Sequence, residues 1–343
     1  MRASIIHNHS MRIGFFETEG WEESALKAAF PSDEVILIKE RLTENIVPER
    51  KDFDIVSVFV GSMVTDKVLA QFPNVKLITT RSVGFDHIDT VAAKARGVAV
   101  AYVPGYGDNT VAEYAFGLLL NLTRNLYVAI EHVKMEGSFS FDGLRGIDLK
   151  GKTIGIVGTG RIGKEAIKIA KGFGMNVVAY DPFPDAAAAQ TLGFSYVALA
   201  DLLAQSDAIS IHCPLTDETH HLFNTANMMT MKRGAFLVNT ARGGIVETDG
   251  LVAALEAGII RGAALDVIEE ENETKDELDF LTHEHHIEDF RTVVENHMLM
   301  KMPNVLISPH NAFNSQEALE RILNTTIENI QGFEAGTPKN LIP

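Results

Sequence analysis

Short apolar runs alternate with helix-period segments along almost the whole chain, and they fall into two systems. The first has runs at Arg12–Phe16, Val35–Ile38, Ile55–Val60, Val75–Thr79 and Val98–Ala101, separated by amphipathic stretches such as Glu22–Ala29 and Asp66–Gln71. Strands spaced by helices in this way predict a parallel α/β unit. The second has runs at Thr153–Val157, Asn176–Tyr180, Ala208–Ile211, Ala235–Asn239, Gly262–Leu265 and Val305–Ile307, which predict six strands of a doubly wound sheet. Between them, Asn109–Val133 reads as one long apolar helix, followed by a looser Glu136–Gly151 stretch. A last helical segment, Gln316–Phe333, comes after the second sheet has closed and is expected to return to the first domain. The predicted class is α/β with two Rossmann-like domains. One is a discontinuous, flavodoxin-like substrate domain (1–107 and 309–343) and the other a dinucleotide-binding domain (108–308), with the active site in the cleft between them.

The turn after Thr153–Val157 carries the first chemistry. Gly158-Thr159-Gly160-Arg161-Ile162-Gly163 follows a strand, opens the helix Ile162–Phe173 and precedes a second strand ending on Asp181. That order and distance match a dinucleotide fingerprint. Gly158 permits the tight turn, Gly160 lets backbone approach a pyrophosphate, and Gly163 lets helix and strand pack closely. Asp181 would accept hydrogen bonds from ribose hydroxyls and repel a 2′-phosphate. No Lys or Arg lies in Pro182–Gln190 to offset that charge, so NAD is expected over NADP. The bland alternative is a glycine-rich turn without a ligand.

Composition narrows the class. The chain has 343 residues, 46 acidic against 30 basic, a net charge of -16. That balance gives no electrostatic reason to seek nucleic acid or an anionic membrane. A single cysteine, Cys213, excludes an intrachain disulfide and suits a reducing cytoplasm. No run is long and apolar enough for a membrane span. Met1–Ser10 reads as a disordered extension, in which a solvated tail outweighs a stray metal at His7 and His9.

Arg242, Glu271 and His310 each follow a strand-like run. A guanidinium matches a carboxylate bidentately. An imidazole passes a proton to or from a carbinol oxygen, and a neighbouring carboxylate fixes its tautomer. Singly, Arg242 reads equally well as a structural ion pair or helix cap, and His310, after a proline, reads more often as a structural histidine; the trio favours chemistry on a 2-keto acid.

Several motifs now stand together. They are Arg81–Asp89, Val103-Pro104 with Asn109 and Val111-Ala112-Glu113, the glycine turn with Asp181, His212–Thr216, Asn239–Gly244, Leu265-Asp266-Val267 through Glu271, and Met302–Val305 through His310–Phe313. With them the chain resembles the D-2-hydroxyacid dehydrogenase family from Met11 onward, and most the D-lactate dehydrogenase branch. The resemblance implies that Arg242 clamps a substrate carboxylate, His310 is the general acid/base and Glu271 orients it. Backbone N–H groups at Val83 and Gly84 would meet the carboxylate, with Tyr106 nearby. For NAD it implies Arg161 and Ile162 at the pyrophosphate, Asp181 at the ribose, and Cys213, Pro214 and Thr219 along the adenosine. Thr240, Ala241 and Asp266 would lie toward the nicotinamide. No metal is required, since the guanidinium and protonated imidazole stabilise the developing alkoxide.

Phe59, Tyr106 and Phe313 would narrow the substrate pocket and favour pyruvate/D-lactate, unless they are plain core packing. A hydroxypyruvate, glyoxylate or bulkier 2-keto acid reductase, and a nucleotide-sensing corepressor, are the rival functions. Residues 272–302 form an acidic, histidine-rich insertion holding His283, His285 and His286, read as a solvated lid rather than a metal site. The apolar Asn109–Val133 helix implies a homodimer by family resemblance; burial within one chain is the alternative.

Overall fold

The computed structural model describes residues 10–269, 271 and 287–342. The N-terminal extension up to residue 9 and the 272–286 part of the insertion, His283 and His286 included, lie outside them. The chain divides into two compact units, one reaching Tyr106 and resuming at Ser315, the other running from Gly107 to Asn314.

In the first unit, β1 (Arg12–Phe15), β2 (Glu34–Leu37), β3 (Ile55–Val58), β4 (Leu77–Thr80) and β5 (Ala99–Ala101) form a parallel sheet in the order β2-β1-β3-β4-β5. The central strands are buried throughout, as two covered faces require. Alternation sorts their side chains: Val56, Val58 and Ile78 pack with Phe53 and Val68 on one side, Ile55 and Leu77 with Phe15 and Leu26 on the other. The helix Gln316–Glu334 joins the second cluster through Leu323 and Ile330. Each such burial is worth about 1.5–3 kcal/mol, enough to hold a chain end in place.

The second unit contains seven parallel strands, β6 (Thr153–Val157), β7 (Asn176–Tyr180), β8 (Ser195–Tyr196), β9 (Ala208–Ile211), β10 (Ala235–Asn239), β11 (Ile260–Leu265) and β12 (Val305–Ile307), in the order β12-β11-β10-β9-β6-β7-β8. The strand absent from the six expected is β8. Its two residues are too few to show a periodic pattern. The strand order reverses between β6 and β9, and ligands in such sheets gather beyond the carboxyl ends at that point.

Two further expectations shift. The single helix over Asn109–Val133 is two, Asp108–Arg124 and Leu126–Glu136, broken where Asn125 takes φ 51°. Asparagine tolerates this left-handed conformation better than most residues, and its N–H caps Asn121 O. The second unit also extends to Asn314 rather than 308. Residues 308–312 are tied to it by hydrogen bonds from Ser308, Asn311 and Ala312 to Asp266. Among the described residues no helix is long and apolar enough to cross a membrane.

Candidate active site

The glycine turn is built as steric necessity dictates. Gly158 has φ +91°, and a Cβ on it would lie 2.6 Å from Cys213 N; one on Gly163 would lie 2.0 Å from Gly158 O. A Cβ on Gly160 would meet nothing within 4 Å, so that glycine faces open space. Gly160 precedes the helix Arg161–Gly172 without a side-chain cap. The first-turn N–H groups have no intrahelical acceptor and point outward as an anion site. The Ile162 side chain packs on the core. The Arg161 guanidinium is exposed and paired to Asp108 at 2.7 Å.

Asp181 is partly engaged already. Its Oδ2 accepts from Thr159 N at 2.7 Å and Thr159 Oγ1 at 2.8 Å, and its Oδ1 from Phe183 N at 2.9 Å. A carboxylate has about four acceptor sites, so capacity for a ribose hydroxyl remains. Sequence reasoning overlooked Lys164, which the helix brings to Asp185 at 2.8 Å; its pKa is raised mainly by that bond. Beyond β9, burial pushes the Cys213 thiol up to about 11, which suits packing rather than nucleophilic work. Thr219 Oγ1 donates to Pro214 O at 2.7 Å and so shapes the turn they share. Thr240 Oγ1 is buried with no hydrogen-bond partner, as expected of a hydroxyl awaiting a ligand. Ala241 N donates to Asn239 Oδ1 at 3.0 Å. An anion-binding helix N-terminus, open space at Gly160 and an unmet hydroxyl fit a dinucleotide.

Arg242, Glu271 and His310 are brought to one edge of the second sheet by register. Asn239 pairs with Leu265, and Leu265 with Ile307, so β10, β11 and β12 end level with one another. Adjacent strands lie about 4.8 Å apart, and each trio residue follows within a few positions. Asn239 Nδ2 donates to Arg242 O at 2.9 Å, fixing that loop, and Arg242 Nη1 donates to Ala241 O at 2.8 Å. His310 Nδ1 stands 3.2 Å and 3.3 Å from the two Glu271 carboxylate oxygens. A carboxylate there favours the tautomer with the proton on Nδ1, the arrangement that would turn Nε2 toward a ligand.

Asp266 does something the sequence did not suggest. It is 1% exposed, and its carboxylate takes Ser308 Oγ at 2.5 Å, Asn311 N at 2.9 Å and Ala312 N at 2.8 Å, while its carbonyl takes His310 N at 2.9 Å. It therefore fixes the segment bearing His310, which has φ 50°. A second brace lies under Glu271. Glu269 accepts Thr248 N at 2.8 Å and Thr248 Oγ1 at 2.6 Å, with His221 Nε2 at 2.6 Å. A Cβ at Gly243 would fall 2.0 Å from Ile268 O, so this glycine lets the Arg242 loop lie against the segment leading to Glu271. These partners are 21 to 48 residues apart, with no local pattern to betray them.

The residues expected to meet substrate divide between the units. In the first, Val83 is exposed, and Gly84 O accepts from Ser82 Oγ at 2.6 Å. Behind them Thr80 Oγ1 contacts Ser82 Oγ at 2.6 Å and His87 Nε2 at 3.0 Å. Buried Arg81 donates to Phe16 O and Glu17 O, both at 2.7 Å, and sits 5.6 Å from the Phe59 ring centroid, so Phe59 has a packing role whatever else it does. Tyr106 O accepts from Arg321 Nε at 2.6 Å. Phe313 is half-buried in the second unit.

The family described as D-isomer specific 2-hydroxyacid dehydrogenase, NAD binding domain, matches residues 116–312. A 2-hydroxyacid dehydrogenase homolog of Zymomonas mobilis is 36% identical over 334 residues, 95% of this chain and 98% of that one. A D-lactate dehydrogenase of Escherichia coli is 35% identical over 333 residues, 95% and 98% of the two chains. Among solved structures, D-lactate dehydrogenase from Aquifex aeolicus complexed with NAD and lactic acid superposes with TM-score 0.84 at 34% identity, covering 95% of this chain and 96% of that one.

Proposed function

The chain belongs to the D-isomer-specific 2-hydroxyacid dehydrogenases, NAD-dependent oxidoreductases, and we propose that within this family it interconverts pyruvate and D-lactate. The observation that carries the reading is the His310–Glu271 pair, 3.2 Å apart and one strand along from the Arg242 loop. NADH, when bound, supplies the hydride that reduces substrate C2. Gly158, Gly160, Arg161, Ile162 and Gly163 would hold its pyrophosphate, Asp181 its ribose, Cys213, Pro214 and Thr219 its adenosine side, and Thr240 and Ala241 its nicotinamide side.

Arg242 binds the substrate carboxylate through two parallel N–H bonds, which orients the adjoining carbonyl. His310 Nε2–H gives its proton to the carbonyl oxygen during reduction and takes it back during oxidation, while Glu271 stabilises the imidazolium form. Pyruvate is favoured by the likeness to D-lactate dehydrogenases, with Phe313, close after His310 in the chain, as the aromatic side chain that would limit substrate size in this unit. Asp266 serves as a positioning residue for His310.

NADH oxidation by the purified chain with a panel of 2-keto acids, and NADPH in parallel, tests this. Pyruvate should give the highest kcat/KM, with NADH. A maximum at hydroxypyruvate, glyoxylate or a bulky keto acid refutes the substrate, and turnover by none of them refutes the activity. We further propose a homodimer. The helix Leu126–Glu136 buries none of its residues and exposes Leu126, Tyr127, Ile130 and Val133, an apolar face suited to a second copy. Sedimentation should give a dimer that Ile130→Glu dissociates; a wild-type monomer contradicts it.

A further inference from the structure

The turn after β9 carries consecutive histidines. Side chains of adjacent residues ordinarily diverge, yet the His220 and His221 rings stack with centroids 4.0 Å apart and planes 27° from parallel. The left-handed backbone of His221, φ 50°, accompanies this. A non-glycine residue keeps such a conformation where its surroundings enforce it. Here His221 N donates to Gly244 O at 2.8 Å and His221 O accepts from Asn224 Nδ2 at 3.2 Å. The paired imidazoles face Glu269, and one ligand atom from each of His220, His221 and Glu269 lies within 4.8 Å of the others.

We propose that His220, His221 and Glu269 form a binding site for a transition-metal dication of the zinc class, and that occupancy slows the enzyme. Two imidazole nitrogens and a carboxylate suit zinc, with water as fourth ligand, and are a poor set for magnesium or calcium. In a tetrahedral zinc site ligand atoms stand about 3.4 Å apart. His221 Nε2 and Glu269 Oε1, 2.6 Å apart, must open slightly to admit the ion, while His220, whose ligand atom lies within 4.8 Å of theirs, closes on it by rotation of its exposed ring. The ion replaces the hydrogen bond between His221 Nε2 and Glu269 Oε1. Glu269 also grips Thr248 and lies two residues before Glu271, so a carboxylate drawn to the metal disturbs the segment that presents Glu271 to His310. This inhibitory half rests on the acid/base reading above; the binding half does not.

The test uses the full, tag-free chain. Crystals soaked in zinc chloride are measured at the zinc edge, and zinc affinity is found by competition with a chromophoric indicator for wild type, His220→Ala and a His283→Ala/His286→Ala control. The expected result is an anomalous peak bounded by His220, His221 and Glu269, with affinity about tenfold or more weaker in His220→Ala and unchanged in the control. Without zinc, His220→Ala should turn over like wild type; with zinc, it should resist an inhibition that wild type shows and a chelator reverses. Equal zinc affinity in wild type and His220→Ala, or a peak only elsewhere, overturns the site. Zinc bound there without inhibition overturns the coupling. A chain inactive on every 2-keto acid overturns the functional reading, while the zinc affinities still decide the site.

Discussion

Replacing Asp266 by asparagine isolates what holds His310. The carboxylate is 1% exposed and receives Ser308 Oγ and Asn311 N on Oδ1 and Ala312 N on Oδ2. Asparagine keeps the shape but has one acceptor oxygen. If that oxygen faces Ser308 and Asn311, its NH2 group confronts the Ala312 N–H; turned over, it confronts the Asn311 N–H, while the Ser308 hydroxyl can rotate. Either way one backbone N–H of the segment loses its acceptor, and the surviving bonds lose the charge that strengthened them. An unmet buried donor costs about 1–3 kcal/mol, and with the weakened bonds the total is about 2–3 kcal/mol. For a domain of this size that lowers the melting temperature by about 4–12 °C. Displacing His310 by an ångström would cost about a hundredfold in kcat/KM. Thermal melts by circular dichroism and steady-state NADH oxidation read both effects. If Asp266 mainly served the nicotinamide, the NADH KM would rise while the melt stayed put. That pattern, or an unchanged variant, would refute the reasoning.

Gly160→Ala should melt like wild type, because its Cβ meets nothing, yet weaken NADH binding about tenfold or more by fluorescence titration. Gly163→Ala should instead fail to fold or melt far lower, since its Cβ would meet Gly158 O at 2.0 Å. Thr248→Val, which removes a hydroxyl from Glu269, should lower kcat more than it raises the pyruvate KM; a wild-type kcat would discount the brace. Burial lowers the His212 pKa from 6.5 to about 4. Between those values the unfolded chain binds the proton first, so stability is full above pH 6.5 and declines as pH falls toward 4. His212→Gln should flatten that part of the denaturant-midpoint profile, and an unaltered slope would exclude His212 as its source.

Legibility in the sequence followed range. The glycine turn could be read because its constraints are local: Gly158 and Gly163 answer to atoms of their own turn and of the neighbouring strand end. Arg242, Glu271 and His310 could be singled out because each closely follows an apolar run. What held them could not, since Asp266 finds donors more than 40 residues away and Glu269 meets His221 at a separation of 48. Lys164 escaped notice for the same reason: it is 21 residues from Asp185 in the chain. Asn125 interrupts an otherwise continuous apolar period, so the helix break depended on one residue's tolerance of φ 51°. The two-residue β8 gave no period at all.

The level endings of β10, β11 and β12 make the sheet a ruler for the long stretch of chain between β11 and β12. Glu271 is carried by the β11 end and His310 by the β12 end, and the two strands are locked by pairs such as Leu265–Ile307. The pairing sets where the two segments begin, and Asn296 of the intervening chain adds a bond to Glu269 O at 2.8 Å. A sheet edge of this kind keeps residues in register however far apart they lie in the chain, which is how one short stretch of it gathers groups from distant segments.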